Sequence, residues 1–528
     1  MTNIILERRQ CLVAGDGNLP VQMAKSAKQN GFEVICISLS SDNYNELNHY
    51  KTISQTDTEI IAHMLNEYET PSPIETLIKV CSMLTGSYAL ACLNKKNPNE
   101  IYLAKKQSPL YVGKCNGKVF ISSDLAYLNG KCDFYFVLDD NEFAIVNLKT
   151  IVFYNKNYEK ITKKPHIFNK NENYFSEKTE THFMLSEIKE INTALNKTLI
   201  NLKNSKLLPK TTAQKVKEIV FIACGTAYHS GLMISKISEE KFSIPSKSLI
   251  ASEFNSAKQI INKNALYVFI SQSGETADTL LSLDYVKQNG GTTLALTNAR
   301  DSTITRKADY TIFTSAGKEI AVASTKAYNC QILAGLVLCN YIFSTKNIIN
   351  LSSDFIEQKL LKSECEIEKL INRCDEQKLA SIFKDIKECF FIGRHYDYVT
   401  SKEASLKLKE ISYINCSAFP SGELKHGTLA LIDNNSIVIA ICTNKNQKKK
   451  IETSLSEVKS RGATTIVLSQ FEFDHTICDY QITLPNLDED IINFVSIIPM
   501  QKLAYYVSLL KGFNPDKPRN LAKSVTVE

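Results

Sequence analysis

The chain has 528 residues, of which 44% are hydrophobic, and 62 Lys+Arg against 56 Asp+Glu give a net charge of +6. At roughly 100–200 residues per domain this predicts about three or four domains, each able to bury its own core. The small charge excess and the lack of a long basic run exclude nucleic acid as the expected partner. The 15 Cys are scattered, with no C-x-x-C pair and no zinc spacing, which predicts no metal centre and fits a reducing, cytoplasmic compartment.

The elements follow in chain order. Residues 1–42 read as strand, turn, helix, strand: "CLVAG" is apolar, "DGN" turns, "VQMAKSAKQNG" has helical period and a Gly stop, and "EVICISL" is a buried strand. The N-terminus, "MTNIILERRQCLVAG", is charged where a signal peptide needs its apolar stretch. From 79 to 150 short strands alternate with Asn-, Lys- and Gly-rich turns ("SYALACL", "EIYLAKK", "VFISSD", "EFAIVNL"), as in an antiparallel sheet. Residues 155–181 have almost no apolar period and are read as a linker. From about 182 onward apolar strands alternate with helical stretches. "EIVFIACGT" and "LYVFISQSGET" are strand-to-helix turns, and "ECFFIGRHYD" and "SIVIAICTN" repeat that plan roughly 170 residues later. Two copies of one α/β domain with a parallel sheet are expected, at 182–365 and 366–528. The longest apolar segment, "ILAGLVLCNYIF" at 332–343, is too short to span a bilayer and reads as a buried helix, so no membrane partner is expected.

Two constellations carry chemistry. In "LYVFISQSGETADTLLSLDYVKQNGG" a strand runs into a turn holding Ser271, Gln272, Ser273, Gly274 and Thr276, and then a helix begins. Unpaired N–H groups at a helix start attract anions, and hydroxyls add donors there. Plain capping by Ser273 or Thr276 would account for one hydroxyl, not for four polar side chains in six residues. With no G-x-x-x-x-G-K-[ST] in the chain, the turn reads as a cradle for a sugar phosphate rather than a nucleotide P-loop. "ACGTA" at 223–227 and "AVASTKA" at 321–327 are small-residue turns that could close over the same ligand. The second constellation is "SKEASLKLKEISYINCSAFPSGELKHGTLALID". Ala404, Leu408 and Ile411 form an apolar stripe, while Glu403, Lys407 and Glu410 share another face, which on a lone helix would ordinarily be solvated. His426 lies between Gly422 and Gly427, and a carboxylate and an imidazole suit proton movement between C1 and C2 of a ketose.

Together "CGTA", "SQSGETADTL", "EIAVASTKA", "LKLKEISYI", "GELKHGTLALID" and "PRNLAKSVTVE" resemble the glutamine–fructose-6-phosphate aminotransferases (isomerizing), or glucosamine-6-phosphate synthases, from about His182 to Glu528. The resemblance implies two tandem sugar-isomerase (SIS) domains of parallel-sheet α/β sandwich type. They would follow an incomplete α+β amidotransferase domain of the N-terminal-nucleophile type over 43–154 and a Rossmann-like βαβ piece over 1–42. It implies fructose 6-phosphate and ammonia as partners, no cofactor and a homodimer. Ser271, Gln272, Ser273 and Thr276 would hold the phosphate, with Thr226, Val322 and Ser324 around the sugar. Lys523 would form a Schiff base with C2, Glu410 would carry the C1–C2 proton, Lys407 would sit beside them, and His426 would assist ring opening from the neighbouring subunit. The family usually has Ser where Ala227 stands, so one phosphate hydroxyl is missing, a loss of about 1 kcal/mol.

The front end departs from that pattern. Thr2, not the family's cysteine nucleophile, follows Met1, and the chain has no Trp, so the tryptophan associated with the family's ammonia channel is absent. "SQTDTEIIAHML" places Asp57 where the family has a glutamine-binding aspartate, but roughly the first hundred family residues are replaced by about 40 others. Those, "CLVAGDGNLPVQMAKSAKQNGFEVICISL", resemble the start of the UDP-2,3-diacylglucosamine pyrophosphatases over one βαβ portion only. Without a nucleophile and an oxyanion hole the glutaminase half-reaction is expected to be lost, leaving free ammonia as nitrogen source. The alternative reading is a sugar-phosphate-binding regulator or inactive subunit paired with a full-length copy. The presence of Glu410, His426 and Lys523 favours the enzyme.

Overall fold

The computed structural model describes residues 58–168, 180–346 and 354–523, less Ser87, Gln107, Asn116, Asp124, Asn129 and Asp301, together with three short upstream strands. The chain divides into two compact units, Met1–Phe175 with Val525–Glu528, and Ser176–Ser524. Asp57 and the helix expected near residues 21–31 lie outside the described residues.

The first unit opens with β1 (Ile4–Ile5) and the parallel pair β2 (Gln10–Ala14) and β3 (Glu33–Ile37), in which Cys11 pairs with Val34. Helices α1 (Thr58–Glu67) and α2 (Pro73–Met83) follow. Next come β4 (Tyr88–Asn94), β5 (Asn97–Lys106), β6 (Tyr111–Cys115), β7 (Lys118–Ser122), β8 (Phe134–Val137), β9 (Glu142–Val146), β10 (Ile151–Tyr154), β11 (Lys160–Ile161) and β12 (His166–Ile167). They build two antiparallel sheets, β1-β7-β6-β8-β12 and β11-β10-β9-β5-β4. The period of two explains the layering. On β5, Ile101 and Leu103 enter the core shared with Val112, Val119 and Ile121 of the other sheet, whereas Tyr102 and Ala104 enter the core under α1 and α2 with Leu77 and Val80. The segment read as a linker over 155–181 is partly sheet: β11 closes a hairpin on β10, and β12 pairs with β8. These two-residue edge strands bury no side chain, so they need no apolar period and leave none to read.

The second unit holds two parallel five-stranded sheets. The first has the order β14-β13-β15-β16-β17, built from β13 (Glu218–Ala223), β14 (Ser246–Ile250), β15 (Ala265–Ser271), β16 (Thr292–Thr297) and β17 (Tyr310–Phe313). The second repeats it as β19-β18-β20-β21-β22, from β18 (Glu388–Gly393), β19 (Asn415–Pro420), β20 (Ile437–Cys442), β21 (Thr464–Ser469) and β22 (Tyr480–Thr483). The duplicated α/β plan expected from the sequence is thus observed. Burial on both faces makes the strands continuously apolar; all seven residues of β15 are buried. The helices used below are α3 (Phe183–Lys189), α4 (Gly225–Phe242), α5 (Ala277–Gln288), α6 (Lys326–Lys346), α7 (Tyr396–Ser412), α8 (Lys448–Lys459), α9 (Glu489–Val495) and α10 (Ile498–Leu510). One continuous core joins the sheets, running from Phe221 and Val268 through Tyr328 and Leu336 to Phe391 and Leu503. Helix α6 is long and apolar enough to cross a membrane by composition, but it is the central core helix, with Ile332, Leu336 and Ile342 buried.

Candidate active site

In an open parallel sheet of this order the chain leaves the first strand on one side and the third on the other, which opens a crevice at their carboxyl ends. Here that crevice lies between β13, which runs into α4, and β15, which runs into α5. Both turns use glycine with positive φ, Gly225 at 53° and Gly274 at 68°. At Gly274 a Cβ would also meet Ser302 Oγ at 2.2 Å, so the backbone there can pass only without a side chain.

The turn holds its hydroxyls ready. Ser271 Oγ and Thr276 Oγ1 are 2.8 Å apart, Ser271 Oγ accepts the Gly274 N–H at 3.0 Å, and Ser273 Oγ accepts the Glu275 N–H at 3.2 Å. Thr276 occupies the N-cap position of α5, yet its side chain caps no helix N–H. The plain-capping reading therefore fails for Thr276, and the helix start stays open to an anion. Glu275, next in the turn, points away and accepts the Thr303 N–H at 2.7 Å.

The charged face of α7 is buried, not solvated. Glu403 and Lys407 are fully buried, along with the apolar stripe of Ala404, Leu408 and Ile411. The cause is packing against α4, which carries Thr226 and His229 to the same spot. Lys407 Nζ lies 2.7 Å from Glu410 Oε2 and 3.5 Å from Glu403 Oε1, and donates to Thr226 Oγ1 at 3.0 Å. Thr226 donates to Glu403 Oε1 at 3.0 Å, and His229 Nδ1 lies 2.8 Å from Glu403 Oε2. Burial would lower the Lys407 pKa, but Glu410 and Glu403 hold the ammonium above its ordinary value. Two carboxylates thus share one buried cation, and the Thr226 hydroxyl bridges that cation to Glu403.

The C-terminal segment is docked on this unit. The Asp516 carboxylate accepts the Phe183 and Met184 N–H groups at 2.9 and 2.8 Å, where α3 begins, and the Asp516 carbonyl accepts the Val322 N–H at 3.1 Å. The Arg519 N–H donates to Tyr413 Oη at 2.8 Å while its guanidinium lies 4.3 Å over that ring. Lys523, with its side chain 10% exposed, then reaches Glu319 Oε2 at 2.7 Å. Glu319 is fully enclosed and also accepts from Ser324 Oγ (2.6 Å), Thr325 N (2.7 Å) and Ala327 N (3.2 Å). Burial alone would raise its carboxyl, but Lys523 and these donors bring it down to about 2. Behind it Glu187 accepts from the Ile320 and Ala321 N–H groups, and burial and the Glu319 charge push its carboxyl up to about 8.

Hydrogen bonds tie these parts together. Asn298 donates its N–H to the Gln272 carbonyl (3.3 Å) and its Nδ2 to the Gly317 carbonyl (2.7 Å), which links the hydroxyl turn to the loop bearing Glu319, Val322 and Ser324. Glu319 also contributes to the field at Lys407. Of the residues named from sequence, Ser271, Gln272, Ser273, Thr276, Thr226, Val322, Ser324, Lys407, Glu410 and Lys523 converge within this unit. His426 does not join them; it is exposed at the end of a short 3-10 turn, Ser421–His426. Glu319, Glu187 and His229 were missed. Glu319 sits inside the quoted "EIAVASTKA", but a lone carboxylate before small residues has no spacing that predicts a lysine 204 positions later. Among the described residues no His/Cys/Asp/Glu group could hold a metal ion.

Comparison with known proteins gives this geometry its relatives. The SIS domain family matches residues 214–341 and 382–511, and the glutamine amidotransferase domain family matches 36–130. The glutamine–fructose-6-phosphate aminotransferase (isomerizing) of Caldanaerobacter subterraneus is 39% identical over 494 residues, covering 91% of this chain and 81% of that protein. Its Bacillus subtilis counterpart is 37% identical over 488 residues, covering 90% and 80%. The C-terminal domain of the Francisella tularensis glucosamine-fructose-6-phosphate aminotransferase superposes with a TM-score of 0.61 at 32% identity, over 65% of this chain and all of that one. The chain therefore belongs to the glutamine–fructose-6-phosphate aminotransferase (isomerizing) family.

Proposed function

We propose that this protein makes glucosamine 6-phosphate from fructose 6-phosphate and ammonia. The observation that carries the reading is the Lys523 amine, brought by a docked tail to Glu319 on the loop that Asn298 ties to the Ser271–Thr276 turn. The phosphate sits on the Ser271, Ser273 and Thr276 hydroxyls and the start of α5. Lys523 leaves its ion pair, gives up its proton, and adds its lone pair to the C2 carbonyl; water leaves and a Schiff base forms. Ammonia then displaces the lysine, restoring its amine. Glu410, oriented by Lys407, takes a proton from C1 and returns it to C2, which moves the carbonyl to C1. The exposed His426 is free to serve a neighbouring copy's sugar ring, so the working form is a homodimer.

Free ammonia is the nitrogen source in this reading. Burial holds Cys81, Cys92 and Cys132 up at about 12, and desolvation with Asp133 raises Cys115 as well. None of these four cysteines is therefore an activated nucleophile. Scattered thiols without pairing also support a cytoplasmic setting.

The test is borohydride reduction in the presence of fructose 6-phosphate, followed by peptide mass mapping, with product assayed from ammonium and from glutamine separately. The reading expects a hexitol phosphate on Lys523 and product from ammonium alone. Trapping at another residue refutes the Schiff-base assignment, and product from glutamine without ammonium refutes the nitrogen source.

A further inference from the structure

The second sheet has the same strand order as the first, so it has its own crevice, between the carboxyl ends of β18 and β20. The reaction above leaves it unused. A cavity of about 220 Å³ opens there, walled by the ends of both strands and by α9. That is below the ~300–1,000 Å³ typical of clefts for drug-sized ligands, so its occupant is small.

This crevice is not a second hydroxyl cradle. Where the first crevice leaves its hydroxyls facing an open helix start, here Thr443 spends its N–H and Oγ1 on the Asp397 carboxylate, at 3.0 and 2.6 Å. Asp397 belongs to the first turn of α7, so the chain's own anion fills the place where the first crevice would take phosphate. Other polar groups are left open. The Arg394 Nε donates to Ser421 Oγ at 2.8 Å, which fixes the guanidinium, and its terminal N–H groups have no acceptor among the described residues. Lys445 lines the same cavity, exposed and without a side-chain partner among the described residues. Asn493 on α9 is only 6% exposed, lines the cavity, and its amide has no hydrogen-bond partner among the described residues. Glu489 adds one carboxylate to the rim, and Leu487 gives an apolar floor.

The backbone points the same way. His395, at the mouth, has φ 56° and ψ −114°, a region essentially closed to residues with a side chain. Strain of this kind persists where the surroundings impose it and clusters at ligand clamps. Two free cationic groups, one carboxylate and a buried amide describe a small zwitterion that carries an anion at one end.

We propose that this crevice binds an amino sugar phosphate, with its phosphate on Arg394 and Lys445, its ammonium on Glu489 and a hydroxyl on Asn493. The identity of the ligand rests on the reading above, since that is the class of compound the first crevice would produce; the product would then occupy a site remote from the chemistry.

The experiment is calorimetric titration of the full-length protein carrying Ser273→Ala and Thr276→Val, which disables the first crevice. The probes are glucosamine 6-phosphate, glucose 6-phosphate (which lacks only the ammonium) and inorganic phosphate. One equivalent of glucosamine 6-phosphate per chain is expected, with glucose 6-phosphate bound at least tenfold more weakly. Lys445→Ala and Asn493→Ala should each weaken binding by about tenfold, and Glu489→Gln should erase the preference between the two sugars. The proposal is overturned if the disabled protein, folded by circular dichroism, binds no glucosamine 6-phosphate. It is equally overturned if the crevice substitutions change nothing, or if glucose 6-phosphate or phosphate binds as well. Failure of the first reading shows separately, as unsubstituted protein that does not bind fructose 6-phosphate.

Discussion

Glu187→Gln separates the electrostatics of the site from its packing. Glu187 is fully buried on α3 and accepts two backbone N–H groups, from Ile320 and Ala321. Burial and then Glu319 push its carboxyl from 4.5 to about 8, against the smaller pull of Lys523 and the two amides. The folded state thus binds a proton that the unfolded chain releases near 4.5. This group's stabilisation is complete below that pH and is lost as pH rises toward about 8. At about 1.4 kcal/mol per pH unit, unsubstituted protein should lose roughly 3 kcal/mol through this group between pH 6 and pH 9. Glutamine keeps the acceptor oxygen and cannot ionise, so the variant should lose none of it. Urea unfolding at pH 6, 7.5 and 9 reads the difference. The two amides belong to the loop that carries Glu319, Val322 and Ser324, so synthesis activity should also fall above pH 8 in unsubstituted protein and hold further into alkali in the variant. Parallel stability profiles for the two proteins would refute the assignment of a raised Glu187.

Three further outcomes follow from the same geometry. Lys407→Met should leave Glu403 buried without its cation and cost about 3–5 kcal/mol in thermal or denaturant unfolding, with part recovered by adding Glu403→Gln. Gly274→Ala forces a side chain onto φ 68° and to within 2.2 Å of Ser302 Oγ; it should weaken fructose 6-phosphate binding at least tenfold by titration and destabilise the domain by about 1–3 kcal/mol. Asp516→Ala removes the acceptor at the start of α3 and the anchor of the tail. It should cost about 1–2 kcal/mol in unfolding and speed tryptic cleavage after Arg519 and Lys523.

The fold of the second unit was legible because parallel strands buried on both faces write long apolar runs, as in "ALYVFIS", and because the plan occurs twice. The hydroxyl turn was legible for a similar reason: four polar side chains packed between a strand and a helix have few local uses. The first unit was only half legible. Tyr111–Cys115 and Phe134–Val137 are interior strands of one sheet, yet they are only five and four residues long, and the first carries glycine and lysine. His166–Ile167 is an edge strand whose two residues are both exposed, so hydrophobic pattern had nothing to mark. Glu319 and Glu187 were illegible on different grounds. A buried carboxylate acquires meaning from the groups that reach it, and theirs come from residues 320–327 and from a lysine at 523.

The face of α7 shows where spacing stops being informative. Glu403, Lys407 and Glu410 at intervals of four and three are what a solvated, salt-bridged helix face also shows. What differs is the company. Ser401, Ala404, Ser405 and Ser412 are all buried alongside them. Small side chains around a helix allow a neighbour to come close, and α4 does so, with Thr226 and His229 in bonding reach of Glu403. A solvated helix face has no need of small residues beside its charges. Two charged groups, Glu403 and Lys407, removed from water cost several kcal/mol unless each is matched, and here part of the match is made by residues from another strand-to-helix turn about 177 positions away. The charges of α7 and the threonine of "CGTA" therefore make sense only as one assembly, in which the second α/β domain supplies the charged groups and the first supplies the hydroxyl and the imidazole that pair with them.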